Sequence, residues 1–378
     1  MKKKKFAFSI QWLLIFIPVT LVLHFVPSLH SPTALFICSA LAIIPLAGVM
    51  GEATEHLASR FGQGIGGLLN ATFGNAAELI IALVALSKGL TSVVKASLIG
   101  SIIGNLLLVL GVSIIAGGTK YRSQKFNQTA ARSSTTSLIL ASTSLLIASV
   151  FHYSADKQPG SWTPGLEQKI SLGIAVVLFL TYIAILAFSL KTHKHLFTGE
   201  EEETTHTTGS GWPIKKSVIV LSIATIAVAF LSEILVGTVE AARTQFGLSE
   251  VFVGVIVVAI VGNAAEHSTA VLMAMKNKMD LSLGIAVGSS LQIALFVAPI
   301  LVFTSFAMGK PMDLEFSIAE VVAVLISVYI VAQIIGDGEC NWLEGLQLLS
   351  VYIILAILFY FLPDSPHVVG VSEALKPH

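Results

Sequence analysis

Charge is what this sequence has least of. Only 12% of its residues are Asp, Glu, Lys or Arg, against about a quarter in soluble domains. In a chain of 378 residues that is 54% hydrophobic, with a mean hydropathy of +0.85, this scarcity excludes a string of soluble domains. It points instead to many membrane crossings. The charges also balance, 22 basic against 22 acidic, so nothing in them attracts a nucleic acid. Cysteine is nearly absent. Cys38 and Cys340 have no CxxC or metal-type spacing and read as packing residues. An intramembrane metalloprotease would need HExxH or a similar metal-and-base set, and "EATEH" and "AAEH" do not supply one. The chain therefore reads as no enzyme, with no cofactor. Barrel-type alternation is missing too, which leaves an all-helical protein.

What the sequence has is apolar runs of about 20 residues, the length that spans a bilayer. Eleven are expected, at 10–27, 33–52, 65–87, 91–117, 132–151, 168–190, 214–240, 249–275, 280–305, 314–336 and 342–362. The opening "MKKKKFAFSIQWLLIFIPVTLVLHFV" reads as a retained first span, since its apolar run is long for a signal peptide. With the amino terminus in the cytoplasm, 15 of the 22 lysines and arginines fall in inside segments. That satisfies the positive-inside rule and puts the carboxyl terminus outside.

One polar segment interrupts the middle. Four carboxylates, Glu200 to Glu203, make 191–213 a solvated cytoplasmic linker, either a hinge or a regulatory cation-binding or docking segment. The expected organisation is an extra span (1–32), a first five-helix unit (33–190), the linker, a second five-helix unit (214–363) and a tail (364–378).

The two units repeat. At a single offset of 188 residues, Gly74-Asn75-Ala76-Ala77-Glu78 meets Gly262-Asn263-Ala264-Ala265-Glu266. The same offset pairs Gly66 with Gly254, Glu52 with Glu240, and Gly100-Ser101 with Gly288-Ser289. Five spans is an odd number, so the copies must face opposite ways across the membrane. This 1+5+5 arrangement of inverted repeats belongs to secondary transporters, whose sites lie near the midplane where the repeats meet.

A carboxylate in mid-span is costly, roughly 2.5–3.5 kcal/mol by insertion scales for aspartate. Glu78 and Glu266 sit well inside their spans with no basic residue near them in sequence. Two such groups together call for a divalent cation or for protons. Calcium takes six to eight oxygens, including carboxylates and carbonyls. The glutamates would supply the charge, and carbonyls near Gly74 and Gly262 could complete the shell if the helices unwind there. Asn75 and Asn263 share a helix face with the glutamates three residues on. Ser101, Asn105, Ser289 and Gln292 either line the path or hold helices together by hydrogen bonds. Out of water and without a cation, each carboxylate is expected to keep its proton, so calcium and protons would compete for the pair. Glu52, Glu240 and Glu233 read as gates or ion-access acids, or else as solvated charges at helix ends. His267 reads as a packed polar residue.

The stretches "LNATFGNAAELIIAL", "VGNAAEHSTAV", "GSIIGNLLLVLG" and "GSSLQIALF", with the acidic linker, resemble the cation/proton exchanger family of the calcium:cation antiporter superfamily. The resemblance implies a ten-helix core, alternating access, and calcium held between Glu78 and Glu266. It implies calcium/proton antiport, with calcium, protons and the lipid bilayer as partners. Sodium-coupled relatives carry hydroxyl-rich repeat motifs, so the asparagine-alanine pattern favours protons. A sodium-coupled exchanger, or one for a broader set of divalents such as manganese, is the alternative. A passive channel fits the inverted halves less well. A homo-oligomer is left open, and a bacterial cell membrane is the expected location.

Overall fold

A computed structural model describes residues 10–155, 163–196 and 212–363. The acidic carboxylates Glu200 to Glu203, the four lysines at the amino terminus and the expected tail lie outside these residues. The fold is all-helical apart from one two-residue strand pair, Gln124–Lys125 antiparallel to Glu339–Cys340. Among the described residues eight helices are long and apolar enough to span a bilayer, or nine if one bent pair counts as a single span.

The first segment, a 3-10 turn running into α1 (Phe16–Phe25), is shorter than a full span. It leans on α2 (Pro32–Ala58), which starts at a Ser31 cap accepting from the Ala34 N–H. The expected third span is not continuous. It divides into α3 (Gly62–Phe73) and α4 (Ala76–Ser87) at Gly74–Asn75, where glycine and a polar side chain interrupt the apolar run. Next comes a rod, Thr91–Gly118, made of α5 (Thr91–Ile103), one π-helical turn and α6 (Leu110–Gly118). The hairpin α7 (Gln128–Ala155) and α8 (Pro164–Ala187) completes this half.

The second half follows the same order. Helix α9 (Ile214–Phe246) ends at Gly247, in the left-handed region at φ 65°. A short α10 (Glu250–Phe252) leads through a π-helical turn into α11 (Ala259–Met275). This span bends by 65° between Ala264 and Glu266 rather than breaking. The matching rod, Met279–Ala307, joins α12 (Met279–Gln292) to α13 (Ala298–Ala307) through another π-helical turn. Helices α14 (Ile318–Ile334) and α15 (Trp342–Phe361) close the fold, each begun by a capping box, Ser317 with Glu320 and Asn341 with Glu344.

The 188-residue offset reaches into local structure. It carries Thr91, the start of the first rod, onto Met279, the start of the second. It carries Ala58 at the end of α2 onto Phe246 at the end of α9. It also carries Gly89 (φ 79°) onto Asn277 (φ 61°), the one non-glycine residue with positive φ among those described. Packing repeats as well: α2 and α9 lie along each other, α4 packs on α9, and α11 packs on α2. The rods form the centre, with 83% and 67% of their apolar windows buried. Helices α8 and α15 form the lipid-facing rim, at 22% and 28%.

Candidate functional site

Each copy of the repeated motif sits at an irregularity of its span, a break in the first and a bend in the second. Glu78 lies in the first turn of α4, just after the break. Glu266 lies just past the bend in α11. Both line one cavity of 1620 Å³. Each has a carboxylate oxygen, Oε2, that is buried and has no hydrogen-bond partner. The two groups are close enough for their charges to act on each other. Two carboxyl groups, each with an orphaned oxygen, thus face one cavity.

The motif glycines let the halves approach. A Cβ at Gly262 would stand 3.1 Å from Cγ of Glu78, and one at Gly74 would stand 3.3 Å from Oε1 of Gln292. Each glycine thus accommodates a polar side chain that belongs to the other half.

Beneath the carboxylates runs a chain of amides and hydroxyls. Asn75 donates to Gln292 Oε1, and Ser289 Oγ donates to Asn75 Oδ1 at 2.7 Å. Asn105 Nδ2 donates to Ser289 Oγ at 3.0 Å and to Asn263 Oδ1 at 2.9 Å. Asn263 Nδ2 donates to Ser101 Oγ and to the Ala259 carbonyl, both at 2.9 Å. The pairs Asn75–Ser289 and Asn263–Ser101 are related by the repeat. Asn105 has no amide counterpart, since Ile293 stands at the matching position, and it joins the two pairs. All five of these residues are buried. Of the network, only Ser289 and Gln292 also line the cavity.

The sequence candidates therefore separate. Glu78, Glu266, Gly74, Gly262, Ser289, Gln292 and Glu52 share the cavity. Asn75, Asn263, Ser101 and Asn105 stand behind it as the supporting network. Glu240 and Glu233 are elsewhere. They are exposed on α9 with Gly237 between them, and Glu240 forms a bidentate pair with Arg243. His267 keeps a buried, unpartnered Nε2. Sequence reasoning passed over Asn70, Glu55 and Asp280, which also line the cavity. Asn70 lies in the quoted "LNATF", four residues before Gly74. Glu55 and Asp280 look like ordinary charges at helix ends until the cavity mouth is seen to run between them. Among the described residues no cluster of three or more His, Cys, Asp or Glu side chains could hold a metal.

The cavity is one-sided. The loops that edge it hold Asn127, Asn277 and Lys278. The opposite side is sealed by helix crossings so close that a Cβ on Gly100 would overlap the Val255 carbonyl, and one on Gly254 would stand 2.4 Å from Cβ of Ala96. Gly288, the repeat mate of Gly100, has nothing within 4 Å and faces the cavity. A contact closed in one repeat is open in the other.

Helical inverted repeats meeting at paired intramembrane acids define a secondary transporter fold. Comparison with known proteins is specific. The family described as sodium/calcium exchanger protein matches residues 31–191 and 216–361, and the chain belongs to that family. Within it, the chain resembles a Ca(2+)/H(+) antiporter of Aphanothece halophytica, 47% identical over 369 residues, covering 94% of this chain and 97% of the relative. The Ca(2+)/H(+) antiporter ChaA of Bacillus subtilis is 47% identical over 346 residues, covering 88% and 94%. Among solved structures, native YfkE superposes with a TM-score of 0.80 at 43% identity, over 94% of this chain and all of that one. The H+/Ca2+ exchanger CAX, at 16% identity and a TM-score of 0.67 over 93% and 91%, shares the fold.

Proposed function

We propose that this protein exchanges calcium for protons across a membrane by alternating access, with Glu78 and Glu266 holding either one calcium ion or protons. The observation that carries this reading is the pair of orphaned carboxylate oxygens in a cavity open to one side only. Calcium stabilises the charged pair, and protons neutralise it when calcium leaves. Because one pair serves both, neither ion crosses back without the other. The antiporter names of relatives at 47% identity support the same substrates.

The side follows from charge. The cavity opens beside loops carrying Lys120, Arg122, Lys125, Lys276 and Lys278. By the positive-inside rule we infer that this is the cytoplasmic face, a reading that supports an inward-open conformation with the amino terminus inside. Glu52, Glu55 and Asp280 at the mouth concentrate cations there.

The test is calcium uptake into proteoliposomes under an imposed pH gradient, with and without sodium. Uptake driven by the gradient and indifferent to sodium is expected, together with its loss in Glu78→Gln and in Glu266→Gln. Proton-coupled flux surviving either substitution, or uptake that requires sodium, overturns the reading.

A further inference from the structure

The offset that matches the glutamates also matches two lysines, Lys88 with Lys276, each at the carboxyl end of a motif-bearing helix. Their surroundings differ. On the sealed face, Lys88 Nζ donates to the Glu233 carbonyl of α9 at 2.9 Å. A Cβ on Gly237, one turn along, would come within 3.1 Å of that ammonium, so the groove that receives it exists because residue 237 has no side chain. On the cavity face Lys276 is exposed, with no equivalent grip among the described residues.

The positions matching Glu233 and Gly237 are Pro45 and Val49 of α2, and both line the open cavity. The surface that Lys276 would grip by symmetry is thus part of the cavity wall. A second repeated contact flanks each lysine. Lys310 Nζ donates to the Ser87 carbonyl at 2.9 Å, and Lys120 Nζ donates to the Met275 carbonyl at 3.3 Å. Ser87 and Met275 are repeat mates. Both helix ends are therefore capped alike in this state, and only the cross-helix grip of Lys88 on α9 lacks its counterpart.

We propose that Lys88 and Lys276 are reciprocal latches: Lys88 holds the sealed face shut against α9, and Lys276 takes the matching grip on α2 near Pro45 when the cavity closes. This deepens the alternating-access reading and rests on it. A backbone carbonyl fixed in a helix suits a latch, because the bond forms only when the two helices are at closed distance. At an exposed site such a bond is weak enough to break in each cycle.

The test uses full-length protein in proteoliposomes, with Cys38→Ser and Cys340→Ser as background. Single cysteines report each side: Leu272→Cys in the cavity and its repeat mate Val84→Cys on the sealed side. Labelling by an impermeant thiol reagent is compared in Lys88→Met, Lys276→Met and Lys88→Arg. In Lys88→Met, Leu272→Cys is expected to label roughly threefold more slowly and Val84→Cys correspondingly faster. Lys276→Met shifts both the opposite way, and Lys88→Arg, which can still donate, behaves like the parent. Unchanged rates in Lys88→Met, or the same direction of shift in both methionine variants, overturn the latch. Failure of the exchange reading shows separately, as absent calcium/proton exchange by the parent protein in the same vesicles.

Discussion

Glu78 of the first repeat rests against Gly262 of the second: a Cβ at position 262 would come 3.1 Å from its Cγ and 3.6 Å from its carboxyl carbon. The motif that supplies one carboxylate also clears room for the other. Gly262→Ala should therefore fold but push the Glu78 side chain aside by a few tenths of an ångström. Calcium affinity is expected to fall about tenfold, equivalent to roughly 1.4 kcal/mol. Gly284→Ala is the control, since it lines the same cavity with nothing within 4 Å. Calcium titration of the purified variants checks both, and equal affinities would remove the steric argument.

The proposed competition between calcium and protons at the pair gives a pH dependence of definite sign. Lowering the pH fills the pair with protons that calcium must displace, and raising it removes them. Apparent calcium affinity should rise with pH, by up to about two logarithmic units per pH unit if both carboxyls release a proton. Equilibrium calcium binding across a pH series measures the slope. A flat profile would mean that the carboxylates do not exchange protons for calcium.

The two repeat-related serines should behave differently. Ser289 touches Asn75, Asn105 and the cavity, whereas Ser101 touches Asn263 behind it. Ser289→Ala and Ser101→Ala should each cost about 1 kcal/mol of stability, the usual scale of an interhelical bond in a membrane. Only Ser289→Ala should also weaken calcium binding several-fold. Thermal unfolding with and without calcium separates the effects: the calcium-induced rise in Tm shrinks in one variant and persists in the other.

Glu52 and Glu240 are matched by the repeat but not by their surroundings. Glu52→Gln at the cavity mouth should raise the calcium concentration for half-maximal transport a few-fold at low salt, and less at high salt. Glu240→Gln, already tied to Arg243 away from the cavity, should leave transport unchanged. Initial rates across calcium concentration and ionic strength test the pair.

The membrane class, the helical fold, the inverted repeat and the two glutamates that face the cavity could be read from the sequence, because all follow from patterns along the chain. Apolar runs mark membrane helices, though not their number, and a constant offset reveals a copied unit. Other features came from contacts between residues far apart in the chain. Asn105 links the two halves through Asn263 and Ser289, 158 and 184 residues away. The expected third span breaks at Gly74–Asn75, where Asn75 bonds across to Gln292. Glu240 turned to Arg243 although its mate Glu52 met the cavity. The side on which the cavity opens was beyond the sequence for a physical reason. Under the proposed alternating access the two repeats exchange conformations, so the same residues are compatible with either face open, and only the packed structure shows Gly100 closed on Val255 while Gly288 stands free.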